Sequence, residues 1–167
     1  MGNMPVNLYL SIPGLTDQAG TAESGVVTID SVQYLQLSSF DFSLTGAPAG
    51  AGGAGAGKVE FSPFSVTLAM NHTTPLLLQA CAAGTGFGAA TVLVRTGGPG
   101  PQVTTQQYNF KLVAVKSLTV SETADASQQS VTLEYGAVNV SYTPVTGQGQ
   151  PGTPVTGGWN QVTNQPA

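Results

Sequence analysis

The stretch SVTLEYGAVNVSYTP, Ser130–Pro144, contains the change of phase on which the fold turns. Val131, Leu133 and Tyr135 are apolar at odd positions, whereas Val138, Val140 and Tyr142 are apolar at even ones. Side chains alternate across a strand, so an unbroken two-residue period would turn one of these groups away from the core. One extra residue at Gly136–Ala137 brings both groups to the same side, which predicts a β-bulge or sharp bend there. A strand that turns such a corner belongs to a sheet that curls on itself.

The segments around it read as strands too. VNLYLSI, Val6–Ile12, places Val6, Leu8, Leu10 and Ile12 on one face and ends at the turn signal Pro13-Gly14. VVTIDSVQYLQL, Val26–Leu37, is rich in β-branched residues, and FDFSL, Phe40–Leu44, alternates. KVEFSPFSVTLAM, Lys58–Met70, is interrupted by Pro63, which argues for an edge or bulge at that point. AATVLVRT, Ala89–Thr96, suits a buried strand, and GGPGP, Gly97–Pro101, a hairpin turn. QQYNFKLVAVKSLTVSE, Gln106–Glu122, puts Tyr108, Phe110, Leu112, Ala114, Leu118 and Val120 on one parity, broken by Lys116. Its other face is mixed, with Asn109, Lys111, Ser117 and Thr119 beside Val113 and Val115.

The spacing predicts a single helix, over about residues 75–83. Thr74 is placed to cap it, Pro75 suits the first helical position, and Gly84 offers a left-handed stop. So short and apolar a helix must pack on the sheet to persist. GAPAGAGGAGAG, Gly46–Gly57, is nearly pure Gly and Ala and reads as a flexible connector. Residues 146–167, rich in Gly, Pro, Thr and Gln, read as a mobile tail unless Trp159 anchors them.

Charged residues make up 7% of the chain, against a usual ~25%, and the net charge is -4. Lys58, Arg95, Lys111 and Lys116 are the only basic residues. Binding nucleic acid through its phosphates needs clustered Lys and Arg, so that class is excluded. A surface built from Ser, Thr, Gln and Asn repels its own copies weakly and suits self-association. No apolar run approaches the ~20 residues that cross a bilayer, and the N-terminus lacks a secretory signal pattern. The expected setting is therefore the cytoplasm, with any export by a route that reads no signal peptide.

Cys81 and His72 are the only residues of their kinds and stand nine positions apart. Along a helix that spacing is roughly 13 Å, too far for a thiolate and its base. Cys81, among Leu77, Leu78 and Ala82, is read as a buried structural thiol, and His72 as a loop residue. The acids Asp17, Glu23, Asp30, Asp41, Glu60, Glu122, Asp125 and Glu134 are dispersed, although Asp41 and Glu60 flank the Gly/Ala connector. No phosphate loop, zinc spacing, cofactor motif or catalytic constellation is present, so the chain is read as a non-enzyme. NHT at Asn71 and NVS at Asn139 match the glycan-acceptor pattern, which has no meaning without secretory export.

The order of the elements then carries a resemblance. NLYLSIPGLTDQAG opens the chain, GKVEFSPFSVTLAMNHTTPLLLQACAAGT stands in the middle, and QQYNFKLVAVKSLTVSE leads into QSVTLEYGAVNVSYTP. Together they resemble the Hcp family, the tube proteins of bacterial type VI secretion systems, over about residues 6–145. The resemblance implies a mainly β subunit: a small barrel of two packed antiparallel sheets with one short flanking helix. It divides the chain into a tube domain, residues 1–145, and a C-terminal tail, residues 146–167. It implies homohexameric rings that stack into a hollow tube, which a contractile sheath propels from the cell together with spike components and effectors. No cofactor, metal or membrane insertion is implied. The loop that reaches the neighbouring ring would correspond to Gly46, Pro48, Gly53 and Gly57. The mixed face of Asn109, Lys111, Ser117 and Thr119 would line the channel. Tube proteins of phage tails and other contractile injection machines share this architecture. The competing reading is a monomeric β-sandwich adhesin or carbohydrate-binding module, which would display an exposed aromatic platform.

Overall fold

In the computed structural model, residues 5–18, 23–46, 59–97 and 102–167 are described. β1 (Val6–Ser11) ends before the turn at Pro13, and a short 3-10 turn follows at Thr16–Gln18. The stretch Val26–Leu37 is not one strand but a hairpin of β2 (Val26–Ile29) and β3 (Val32–Leu37). Asp30 and Ser31 link them with φ of 49° and 66°, the two left-handed residues of a type I′ turn. Next come β4 (Ser39–Asp41), β5 (Leu44–Thr45), β6 (Glu60–Phe61) and β7 (Phe64–Ala69). The break between β6 and β7 falls at Pro63, as expected.

α1 spans Thr74–Ala83 and stops at Gly84, whose φ is 65°. The cap lies one residue earlier than the sequence suggests, at Thr73. Asn71 organises that start: its Oδ1 accepts from the Thr73 amide at 2.8 Å, and its own amide donates to Thr74 Oγ1 at 3.2 Å. Leu77 and Ala80 point into the core, while Leu78 stays exposed. Cys81 is half-buried rather than buried, with Sγ 3.6 Å from the Lys116 carbonyl oxygen.

The remaining elements are β8 (Gly86–Thr96), β9 (Val103–Glu122), β10 (Ser127–Glu134), β11 (Ala137–Tyr142), β12 (Val155–Asn160) and β13 (Gln165–Pro166). The 20-residue β9 is the spine. One edge pairs with β8; the other pairs with β11 along Gln106–Lys111 and with β10 along Ala114–Glu122. β3 runs through Ser38 into β4, which joins β7, and β7 joins β10. The path β3, β1, β8, β9, β10, β7, β4 therefore returns to its own stretch of chain, and the sheet closes as a small barrel.

The predicted corner is present, and β9 bends with it. The ladder holds its register across the bend, from Glu134↔Ala114 to Ala137↔Lys111. Tyr135 and Val138 both reach the core, as the extra residue requires. Opposite them, Phe110 and Val113 are buried, whereas Leu112 is 60% exposed with φ of 57°. The single parity expected for β9 is thus corrected: inward positions pass from Phe110 to Val113 and Val115. A second irregularity at Lys116 returns Leu118 to the core side.

Phe64 and Phe110, both fully buried, stack with centroids 4.0 Å apart at the centre of the barrel. Phe40, Phe42, Phe61, Tyr108 and Tyr135 pack around them. Leu8, Leu10 and Ile12 face this core as expected, but Val6 is exposed. On the opposite side of the same strands, Tyr9, Tyr34 and Leu93 form a second, smaller apolar cluster.

The tail expected to be mobile is paired in the sheet. β12 runs antiparallel to β11, with Trp159 opposite Val138, and β13 folds back on β12. Gly158 makes this return possible: a Cβ there would lie 2.7 Å from the Ala167 carbonyl oxygen and 2.6 Å from that of Val138.

Candidate functional site

The outward side of β8, β9, β11 and β12 is a broad polar face, and strand registry sets its composition. Phe110 and Val92 point inward, so Asn109 and Thr91 point outward, and they are directly paired. Asn139 pairs with Asn109 from the other side, and Gly158 lies beyond Asn139. The next row runs Leu93, Gln107, Ser141, Thr156. Asn109 is held by its neighbours: the Thr91 hydroxyl donates to its Oδ1 at 3.4 Å and Gln107 Nε2 at 3.1 Å. Thr156 donates to the Ser141 hydroxyl at 3.3 Å, and Asn139 Nδ2 donates to the Ala167 carbonyl at 3.1 Å. Thr91, Gln107, Asn109, Asn139, Ser141 and Thr156 supply amides and hydroxyls able to hold water or a polypeptide, beside the apolar Leu93 and a single charge at Lys111.

A depression of about 440 Å³ opens on this face, between Ala89, Asn109, Lys111, Asn139, Asn160 and Ala167. Of the four residues expected to line a channel, Asn109 and Lys111 border it. Ser117 and Thr119 lie beyond the corner, paired with Thr132 and Ser130. Six residue steps along the bent strand separate Lys111 from Ser117, at most about 20 Å. Sequence reading missed Thr91, Gln107, Asn139 and Asn160, because their place on the face follows from strand registry rather than from motif. Of the expected ring-stacking residues, Gly46 is exposed at the end of the β5 segment, and Pro48, Gly53 and Gly57 lie outside the described residues.

The other candidates are drawn apart. His72 meets the Glu23 carboxylate through Nδ1 and through its backbone amide, while Cys81 sits against the Lys116 carbonyl. The hydrogen bond from the His72 side chain holds the Glu23 carboxyl below its ordinary value. Asp41 pairs with Ser65 in the barrel and Glu60 with Thr45 in the separate two-stranded sheet. Among the described residues, no group of three or more His, Cys, Asp or Glu is placed to hold a metal. No helix among them is long and apolar enough to cross a membrane. Most aromatic residues lie in the barrel core, and Tyr9 and Tyr34 are buried in the smaller cluster on the other side of the sheet; Tyr142 is the one exposed ring, and Trp159 is half-buried against β11.

Comparison with known proteins places this architecture. The chain is 34% identical over 106 residues to protein hcp1 of Pseudomonas aeruginosa, an alignment covering 62% of this chain and 65% of that protein. A solved structure described as a type six secretion system protein superposes with a TM-score of 0.80 at 21% identity, covering 98% of this chain and 100% of the other. Hcp1 from Salmonella typhimurium superposes with a TM-score of 0.75 at 20% identity, again covering 98% and 100%. At such identities the structural likeness establishes the fold. The sequence model of the family described as "Type VI secretion system effector, Hcp" matches residues 9–142, and the chain belongs to that family.

Proposed function

We propose that this chain is a structural subunit of the tube of a type VI secretion machine. Copies close into hexameric rings, the rings stack into a hollow conduit, and the conduit carries effectors as it is expelled with its sheath and spike. The family match over residues 9–142 carries this reading. The weakly charged face of Thr91, Gln107, Asn109 and Asn139, with Lys111 at its margin, supports it, because a conduit for varied passengers gains from a wall that binds none tightly. Asn109 and Lys111 line the channel, and Ser117 and Thr119 continue it past the corner at its margin. The subunit acts without catalysis, is made in the cytoplasm, and leaves the cell as part of the expelled tube. Negative-stain microscopy of the purified chain tests the reading: annular particles with a central hole are expected, and compact particles without one would refute it.

The monomeric carbohydrate-binding alternative draws no support from the aromatic residues. Sugar platforms need exposed rings, and here Phe40, Phe42, Phe61, Phe64, Tyr108, Phe110 and Tyr135 pack on one another inside the barrel.

A further inference from the structure

The depression on the polar face has a floor and a rim of different chemistry. Strand registry sets Ala89, Lys111, Ala137 and Asn160 side by side in one row, and Thr91, Asn109, Asn139 and Gly158 in the next. Ala89 and Ala137 are small and leave the floor low and apolar, while Lys111 and the three asparagines stand around it. Each asparagine has one half of its amide committed. Asn109 Oδ1 accepts from Thr91 and Gln107, and Asn160 Oδ1 accepts from the Val162 and Thr163 amides at 2.9 and 3.0 Å. Asn139 Nδ2 donates to the Ala167 carbonyl. Among the described residues, Asn109 Nδ2, Asn160 Nδ2 and Asn139 Oδ1 stay unengaged, which gives the rim two donors and one acceptor. Lys111 adds a cation with no ion-pair partner among those residues. By contrast, Lys116 pairs with Glu134 at 3.8 Å, and Arg95 donates to Thr104 and to the Gln102 carbonyl.

We propose that this depression is a seat for an acidic side chain of a passenger polypeptide, with glutamate the residue it fits. The proposal rests on the tube reading and supplies the chemistry by which the wall holds what it carries. The methylenes of the glutamate lie on Ala89 and Ala137, and its carboxylate accepts from Lys111 and the free asparagine donors. Hydrogen bonds to an ionised group are stronger than those between neutral partners. Asn139 Oδ1 accepts the backbone N–H of the same segment. At about 440 Å³ the depression has the size of a small-ligand site, so it takes a short piece of chain rather than a folded surface. Glutamine would keep the shape of glutamate but lose the attraction of Lys111, and a basic side chain would be repelled by it. One exposed ion pair holds little. The seat recurs in every subunit around the wall, so several acids engaged together retain a passenger that no single seat would.

Ligand-observed saturation-transfer NMR tests the seat, because it reads weak ligands on subunits and rings alike. The probe is a terminally blocked glycine pentapeptide with glutamate at its centre, compared with its glutamine counterpart. A saturable signal is expected, strongest at the glutamate methylenes, with the glutamine peptide binding at least about fivefold more weakly. Lys111→Met should weaken the glutamate peptide by the same factor of about five or more, and Ala89→Leu, which fills the floor, should abolish its signal. Lys116→Met, beyond the corner, should change nothing. Equal binding of the two peptides, no saturable signal, or parent binding by Lys111→Met or Ala89→Leu overturns the proposal. Equal losses in the two lysine variants would report net charge alone and overturn it too. Rings that bind no peptide would refute the seat and leave the tube reading standing. Peptide binding by a chain that forms no ring would keep the acid-binding site and refute the tube.

Discussion

Substitution at Gly136 tests the corner with a change of sign. The backbone of Gly136 is not left-handed, so alanine there is conformationally allowed. In open space, Gly136→Ala would stabilise the fold by about 0.4–1 kcal/mol, by restricting the unfolded chain. The space is not open: an added Cβ would lie 2.8 Å from Leu112 Cδ1 and 3.1 Å from Leu112 Cβ. Leu112 Cδ1 ends a side chain that is 60% exposed and can swing aside, whereas Leu112 Cβ is fixed to its backbone, so the cost falls at the low end of the ~1–3 kcal/mol of overpacking. The net expectation is a loss of up to about 1 kcal/mol, or roughly 2–4 °C in Tm for a chain of this size. In a Leu112→Gly background both clashing atoms are gone, and the nearest remaining neighbour is Val162 Cγ2 at 3.4 Å, an ordinary contact. There the same alanine should stabilise by about 0.4–1 kcal/mol. Leu112→Gly alone should be near neutral, because relief of its left-handed φ of 57° offsets the lost side-chain packing. Urea unfolding followed by far-UV circular dichroism, at concentrations below assembly, measures all four corners of the cycle. An equal cost of the alanine in both backgrounds would refute the packing of Leu112 over Gly136.

Phe110→Ala removes one half of the central stack, where both rings are fully buried, and should cost about 3–5 kcal/mol in the same assay. Among the described residues the buried Tyr135 hydroxyl has no hydrogen-bond partner, so Tyr135→Phe should be neutral or stabilising near pH 7. Burial pushes that hydroxyl from its ordinary 10 up to about 12, so the folded state favours the neutral phenol. Its contribution is complete below pH 10 and lost as pH rises from 10 towards 12, and the phenylalanine variant should lack that alkaline decline. Cysteines placed at Asn109 and Thr119, in a Cys81→Ser background, should react with a bulky maleimide more slowly in long tubes than in free subunits. Equal rates would contradict their place along the channel.

Much of this structure is legible in the chain, and what is hidden has a physical reason. The corner at Gly136 shows because apolar residues change parity abruptly around a glycine. Its counterpart in β9 is masked, since Leu112, Val113, Ala114 and Val115 are apolar at both parities and leave the inward set undetermined. Only the ladder decides, because a bend in one strand obliges its hydrogen-bonded neighbour to bend as well. The β2–β3 turn escapes notice for want of glycine or asparagine, although Asp30 tolerates the left-handed region. α1 is legible apart from its cap, which shifts by one residue because the Asn71 side chain captures the Thr73 amide. β12 is invisible as a pattern, since VTGGWN does not alternate and is held through backbone bonds to β11. The polar face is half legible: Asn109 and Lys111 stand out on β9, whereas Thr91 and Asn139 join them only through registry.

Native mass spectrometry of the purified chain, across a range of concentrations, tests the central claim most directly. The expected species has six times the mass of the 16.9 kDa chain, with stacked multiples of it at higher concentration. A 16.9 kDa monomer at every concentration would contradict a subunit built to close into rings.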